Sequence, residues 1–339
     1  MSTAETATDE SGAGEQRSGA ELAARTGGLA VLAERAALPV AWVALIIIYS
    51  ITSPGLFLTW SNISNILGSQ AVLFVLALAA LMPSFTGDFD LSLGGVMGLT
   101  AMVVGVLNTR HGMGILPACL IAVAVAVIAG CLNGFFVVTC DTNALIVTLG
   151  MGSVFTGLIY FLAGSNTITG IGESLSRATF TTKLLGIPVE FYYGLVLMLI
   201  VWYVSTFTPL GLRALFVGQA RDVARLSGIR VSRLRWGGFV LGGLIAGLAG
   251  ILFVGTTGSA DPTASAPYLL PAYAAVFLGA TTLKPGRFNA LGVGIAVYFL
   301  ATGVNGLQLL GAANYVQQLF YGAALIAAVV LSRQLRRRT

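Results

Sequence analysis

The sequence predicts an all-α polytopic membrane protein, and three observations carry the prediction. Of its 339 residues, 56% are hydrophobic and only 9% are charged, whereas an ordinary soluble domain is about one quarter charged. Apolar runs recur from Leu38 to Leu331, far beyond what one buried core helix needs. The runs are continuously apolar rather than alternating, which excludes a lipid-facing barrel and leaves helices to satisfy the backbone in hydrocarbon. The 43 glycines fit close helix packing through small residues.

Residues 1–36 stand apart, with six acids and three arginines among Ala, Gly, Ser and Thr. This composition predicts a disordered tail, helical near Leu29–Arg35. It lacks the basic start of a signal peptide, and its first apolar run begins too late for one. The membrane domain then occupies 37–332, and a basic tail fills 333–339. Spans are expected at 38–54, 71–86, 91–108, 115–138, 144–163, 191–208, 236–257, 268–283, 289–308 and 314–332. Several fall short of the roughly 20 residues a crossing needs, so 71–86 and 91–108 are expected to be broken or partly re-entrant. The stretch 54–69, with Trp60, reads as interfacial.

Charge orients these segments. The stretch 209–235 carries Arg213, Arg221, Arg225, Arg230, Arg233 and Arg235 against the single acid Asp222, and the C-terminal tail carries Arg333, Arg336, Arg337 and Arg338. Basic loops mark the cytoplasmic side. Four segments separate the two regions and six precede the loop, so both termini are expected inside. Arg110, Arg177 and Lys183 would then lie outside, against the trend. The net charge of +5 is an orientation signal and not a nucleic-acid footprint.

Four regions hold candidate functional groups. The phrase from Gly218 to Ile229 reads as a short helix. Val223 and Leu226 share a side with Ala220, Asp222 and Arg225 are spaced to pair, and Gly228 suits the position just past the helix end. It is read either as a docking peg for a soluble partner or as a basic loop lying on anionic lipid. In residues 86–95, Asp88, Asp90 and Ser92 lie between two apolar segments, where an acid is costly unless it faces water or a partner. Asp90 is read as an N-cap for the following helix, as a substrate contact, or as a plain interfacial acid. Asn133, Asn143, Thr148, Asn305 and Gln308 lie in or beside apolar segments, where they serve interhelical hydrogen bonds or line a path for a neutral polyol. The loop 258–267 is either a stiff turn or a contact for a soluble protein.

Several chemistries lack their residues. Neither Lys183 nor Lys284, the only lysines, follows a phosphate-loop glycine pattern, so no ATPase site is expected. Cys119, Cys131 and Cys140 lack metal spacing, and His111 is the one histidine, so neither a metal site nor a catalytic residue is expected.

The phrases GDFDLSLGG (87–95), NGFFVVTCDTNALIVTLGMGSVFTGLIYFLAG (133–164), LFVGQARDVARLSGIRVSRLR (215–235), GSADPTASAPY (258–268) and AAVFLGATTLKPGRFNALG (274–292) resemble, in order, the ribose-type permease subunits of bacterial ABC importers. The resemblance runs from about residue 40 to 332. It implies a type II importer-like permease of the inner membrane that carries a small polar solute, usually a monosaccharide. It also implies a second permease chain, identical or related, a periplasmic or extracellular solute-binding protein, and a separate ATPase subunit that holds ATP and Mg. In the resemblance the coupling helix comprises Gly218, Arg221, Asp222, Ala224, Arg225, Leu226, Ser227, Gly228 and Ile229. Asp88, Asp90, Ser92, Asn133, Asn143, Thr148, Asn305 and Gln308 become pathway candidates. The chain departs from the family pattern at Ala220, often Asn, and at Asp88, commonly Gly. It departs again at Leu269 and Pro271, where acids are frequent, and at Lys284, Pro285 and Phe288, which replace a glycine-rich turn. The competing expectation is an ATP-independent secondary transporter or channel for a small neutral solute.

Overall fold

The computed structural model describes residues 36–336. Among these, seven helices are long and apolar enough to cross a membrane, and three shorter apolar helices accompany them. Together they account for every predicted span. The chain begins with α1 (Ala36–Thr52). It continues through α2 (Trp60–Ser69), α3 (Ala71–Ser84), α4 (Leu93–Gly105), α5 (Ile115–Gly134), α6 (Ala144–Ala163) and the single turn α7 (Glu173–Ser176). There follow α8 (Val189–Phe207), α9 (Pro209–Gln219), α10 (Arg221–Leu226), α11 (Val231–Thr257), α12 (Leu269–Gly279), α13 (Ala290–Leu309) and α14 (Asn314–Arg336). Wider π-helical turns extend α4 over Val106–Arg110 and α5 over Phe135–Thr139. Two small antiparallel ribbons pair β1 (Ile168–Thr169) with β4 (Ser259–Ala260) and β2 (Lys183–Leu184) with β3 (Ile187–Pro188). The tail expected over residues 1–36 lies outside the described residues except for Ala36. Residues 333–336 extend α14, and 337–339 again lie outside.

Two expectations are corrected. The stretch 54–69 is not merely interfacial, because α2 joins α3 in a helical segment, Trp60–Ser84, whose 25 residues are long and apolar enough to cross a membrane. Helices α2 and α3 meet at Gln70, whose carbonyl still accepts from the Phe74 amide at 2.8 Å. The polar residues of α2 disguised the span, and two of them bond inward. Ser64 donates to the Gly186 carbonyl at 2.6 Å, and Asn62 donates to Asn305 Oδ1 at 3.0 Å. Nor is the 91–108 segment broken, since Leu93–Arg110 is continuously helical over 18 residues, long and apolar enough to cross a membrane. It begins after residues 85–92, a loop enclosed by protein rather than lipid.

All 14 residues of α3 are buried, as expected of a helix that is apolar on every side. Helices α8, α11, α12 and α13 pack around it. Close approach depends on glycine. A Cβ added at Gly238 or Gly242 of α11 would lie 3.3 Å from the Met82 or Ala79 carbonyl oxygen of α3. One added at Gly130 of α5 would lie 2.6 Å from the Phe239 oxygen, and one at Gly243 would lie 2.7 Å from the Ala126 oxygen. Helix α1 attaches at the other flank, where Trp42 Nε1 donates to Thr302 Oγ1 at 2.9 Å and the Tyr49 hydroxyl donates to the Gly303 carbonyl at 3.2 Å. Arg110, the odd charge at its end of the bundle, donates to the last carbonyls of α6, Leu162 and Ala163, at 2.8 and 2.5 Å. A cation there satisfies orphan groups and complements the helix dipole.

Candidate functional site: a clamped loop beside a hydroxyl-lined cavity

The loop between α3 and α4 joins the arginine-rich segment to the interior. Pro83, near the end of α3, accepts from the amide of Asp88 at 3.1 Å and from the hydroxyl of Thr86 at 3.0 Å, which folds the loop back. Gly87 turns the chain at φ +78 and touches the backbone of Gly218, which comes from the end of α9. A side chain at Gly218 would collide with the Phe85 carbonyl.

Asp88 then sits only 4% exposed between two guanidinium groups. Arg235, in the first turns of α11, grips both carboxylate oxygens, Nε to Oδ2 at 2.8 Å and Nη2 to Oδ1 at 3.0 Å. Arg221, at the start of α10, donates to Oδ1 at 3.0 Å and to the Thr86 carbonyl at 3.0 Å. An acid that the sequence left without a partner is thus the junction of three segments. Bidentate, charge-assisted contacts of this kind are the strong ones.

Helix α10 is built as expected, with one exception. Ala224 is fully buried beside Val217 and Val231 and anchors the turn. The helix closes with the Gly228 amide on the Arg225 carbonyl at 3.0 Å and the Ile229 amide on the Ala224 carbonyl at 3.1 Å, with Gly228 at φ +77. This is the reciprocal helix stop that requires a left-handed residue. Val223 and Leu226 project outward, Leu226 with 88% of its surface exposed. Asp222 and Arg225 are both exposed, and the pair predicted between them does not form. The glycine stop closes this six-residue turn without it.

Two residues beyond Asp88, Asp90 is completely buried. Its Oδ1 accepts from the Ser92 amide at 3.0 Å and the Ser92 hydroxyl at 2.6 Å, and Asn133 Nδ2 bonds both carboxylate oxygens at 3.2 and 3.1 Å. The Tyr273 hydroxyl accepts from the Asp90 amide at 2.8 Å and donates to its carbonyl at 2.9 Å. Thr148 accepts from the Leu91 amide at 3.0 Å. Asp90 therefore organises the turn before α4, whose N-cap position falls to Ser92. Asp90, Ser92, Asn133 and Thr148 come together as one knot. The other pathway candidates do not join it. Asn143 caps α6 by accepting from Leu145 and Ile146, Asn305 pairs with Asn62, and Gln308 lies exposed near the end of α13.

Beside the knot, a cavity of about 580 Å³ lies between the start of α4, one face of α6 and the segment 262–269. Gly94 and Gly95 line it, and Ser153, Thr156, Tyr160, Thr263 and Ser265 are its hydroxyl residues. No charged side chain lines it. The three α6 hydroxyl residues were missed in sequence, although their i, i+3, i+7 spacing marks one helix face. At the rim, Asp261 accepts from the hydroxyl and amide of Thr263, both at 2.7 Å, and from Thr167 at 2.8 Å. The Thr263 contacts above all hold its carboxyl below its ordinary range.

The profile of the family described as branched-chain amino acid transport system / permease component matches residues 62–329. The chain belongs to this family. The permease is 34% identical to the ribose import permease protein of Bacillus subtilis (strain 168), over 86% of its own length and 90% of the relative's. It is 29% identical to the D-allose transport system permease protein of Escherichia coli (strain K12), over 85% and 88%. It is also 31% identical to an autoinducer 2 import system permease protein of Salmonella paratyphi B (strain ATCC BAA-1250 / SPB7), over 76% and 78%. It is a multi-pass membrane permease and not an enzyme, as the sequence predicted.

Proposed function

We propose that this permease is the membrane subunit of an ABC importer for a small neutral polar solute, a monosaccharide in the first instance. The cavity supports that substrate class, because hydroxyls and glycines line it and no counter-ion for a charged solute is present. The ribose and allose relatives point the same way. In this reading the arginine-rich end and both termini are cytoplasmic, in the inner membrane of a bacterium. A solute-binding protein delivers cargo at the 258–268 end. ATP and Mg reside on a separate ATPase, which receives the face formed by Val223, Leu226 and the residues from Gly218 to Ile229.

A second permease chain, identical or related, completes the pathway. Most of α6 is exposed, including Ser153, Thr156 and Tyr160, although the Ser153 and Thr156 hydroxyls donate back to the Leu149 and Gly152 carbonyls at 3.3 and 2.9 Å. Gly150 and Gly157 on the same helix have open space beside them, which leaves room for close approach by another helix.

The observation that carries the mechanism is the continuity of residues 86–92. Asp88 is clasped to α10 and α11, Asp90 is knotted to α5 and α12, and Leu91 walls the cavity. Displacement of α10 by the ATPase then reaches the cavity through a buried, hydrogen-bonded strand, biasing two states of the permease. Transport should therefore fail when docking fails. Asp222→Arg and Gly228→Pro should lower ATP-driven uptake in proteoliposomes by roughly 5- to 150-fold, the span of ordinary coupling energies, with normal membrane insertion and reduced ATPase co-purification. Full uptake by both variants at equal abundance would sink the docking assignment. Uptake by the wild-type chain alone, driven by an ion gradient, would replace the importer with a secondary transporter.

The cavity has its own test. Thr156→Trp should abolish uptake while the ATPase still co-purifies, because the indole fills the passage and touches nothing at α10. Unimpaired uptake in this variant would place the pathway elsewhere.

A further inference from the structure

Helices α8 and α11 both lie on α3, and a furrow opens between them along the halves nearest the arginine-rich segment. Its walls are apolar, with Ile200 and Val204 on α8 and Leu241, Leu244 and Leu248 on α11. Met82 of α3 and Phe85 just beyond it also line the cavity, which measures about 370 Å³. From Leu234 to Leu248 the furrow follows α11 for about 21 Å at 1.5 Å per residue, more than one leaflet of a hydrocarbon core about 30 Å thick.

At its charged end the furrow meets a second cavity of about 510 Å³, and the two share Arg233 and Leu234. Arg213 of α9, Arg230 just before α11 and Arg233 in its first turn line this second space, without any acid. None of the three makes an ion pair or a side-chain hydrogen bond among the described residues, whereas their neighbours Arg221 and Arg235 are committed to Asp88. The start of the 27-residue helix α11 adds the positive end of its dipole.

We propose that the furrow and the basic pocket form one binding site for an anionic phospholipid of the cytoplasmic leaflet. One acyl chain lies between α8 and α11, and the phosphate lies among Arg213, Arg230 and Arg233. Basic pockets between transmembrane helices on this side suit anionic headgroups, and only a molecule carrying both an apolar chain and a negative head fills both spaces. The inference rests on the orientation proposed above, and the basic pocket shares Ser227, Gly228 and Ile229 with the face assigned there to the ATPase; the test uses the permease chain alone, so its failure is distinguishable from failure of the importer reading.

Native mass spectrometry of the purified full chain in neutral detergent, after exposure to phosphatidylglycerol or phosphatidylcholine vesicles and washing, tests it. Phosphatidylglycerol should be retained about tenfold or more over phosphatidylcholine, consistent with attraction by several arginines. The combined Arg213→Gln, Arg230→Gln, Arg233→Gln variant should lose that preference with an unchanged elution profile and helical content. Leu241→Trp, which keeps every arginine, should also lower retention by occupying the furrow. Millimolar inorganic phosphate should not displace the lipid. Equal retention of the two lipids, full preference in the triple variant, or displacement by phosphate alone would each overturn the site.

Discussion

Asp88→Ala is expected to destabilise the permease by about 3 kcal/mol. Breaking a buried ion pair by deleting one partner costs about 3–5 kcal/mol, because the remaining charge is left uncompensated. The low end applies here, since Arg221 is 38% exposed and regains water, while Arg235 at 11% does not. Chemical denaturation in detergent micelles, followed by tryptophan fluorescence, should show the loss. Adding Arg235→Leu to Asp88→Ala should recover part of it, because the stranded guanidinium is then gone. The two substitutions share one contact and will not add. Uptake should remain low in the double variant, since the clasp between loop and docking helix is still missing. A single Asp88→Ala variant with wild-type stability would show that the clamp contributes nothing to the fold.

Ala at Gly130 or Gly243 should cost as much as about 3 kcal/mol, the upper part of the range for overpacking. In each case the new methyl meets backbone of the opposing helix, at 2.6 Å for Gly130 and 2.7 Å for Gly243. Backbone cannot swing aside as a side chain does, so α5 and α11 must separate. The double variant should cost less than the sum of the singles, because once the helices part both methyls fit. Gly237→Ala is the internal comparison. It lies on the same helix with nothing within 4 Å of the added Cβ, and it should be neutral or stabilising by roughly 0.5–1 kcal/mol through reduced backbone freedom. Equal thermal midpoints for all three alanine variants would show that glycine contact does not hold this pair of helices together.

The helices were legible because hydrocarbon imposes a plain rule: a run of apolar residues long enough to cross must be helical. Failure came where polar residues interrupt that pattern for internal reasons. Ser61, Asn62 and Ser64 made α2 look like a surface stretch, and only the structure supplies the partners of Asn62 and Ser64 on α13 and near β3. Helix α10 was readable down to its glycine stop, which depends on neighbours a few residues apart. Asp88 was not, because its partners lie 133 and 147 residues away, and no local pattern reports such a distance. Ser153, Thr156 and Tyr160 carry a periodic signal, but hydroxyls among apolar residues resemble ordinary helix glue until a cavity is seen beside them.

The Asp88 clasp also bears on how such permeases can be recombined. The arginine-rich segment of this chain has an acid to answer to, and a relative with a neutral residue at this position would lack it. A chimera that receives residues 209–235 from such a relative, with Asp88 retained, risks a buried carboxylate whose counter-charges have left. The reverse graft brings two arginines to a loop with no acid to receive them. The arginine-rich segment is therefore not a portable cassette. Exchanging it between homologues requires moving residue 88 together with it, and a library built on loop swaps alone would discard otherwise compatible chains for want of one distant side chain.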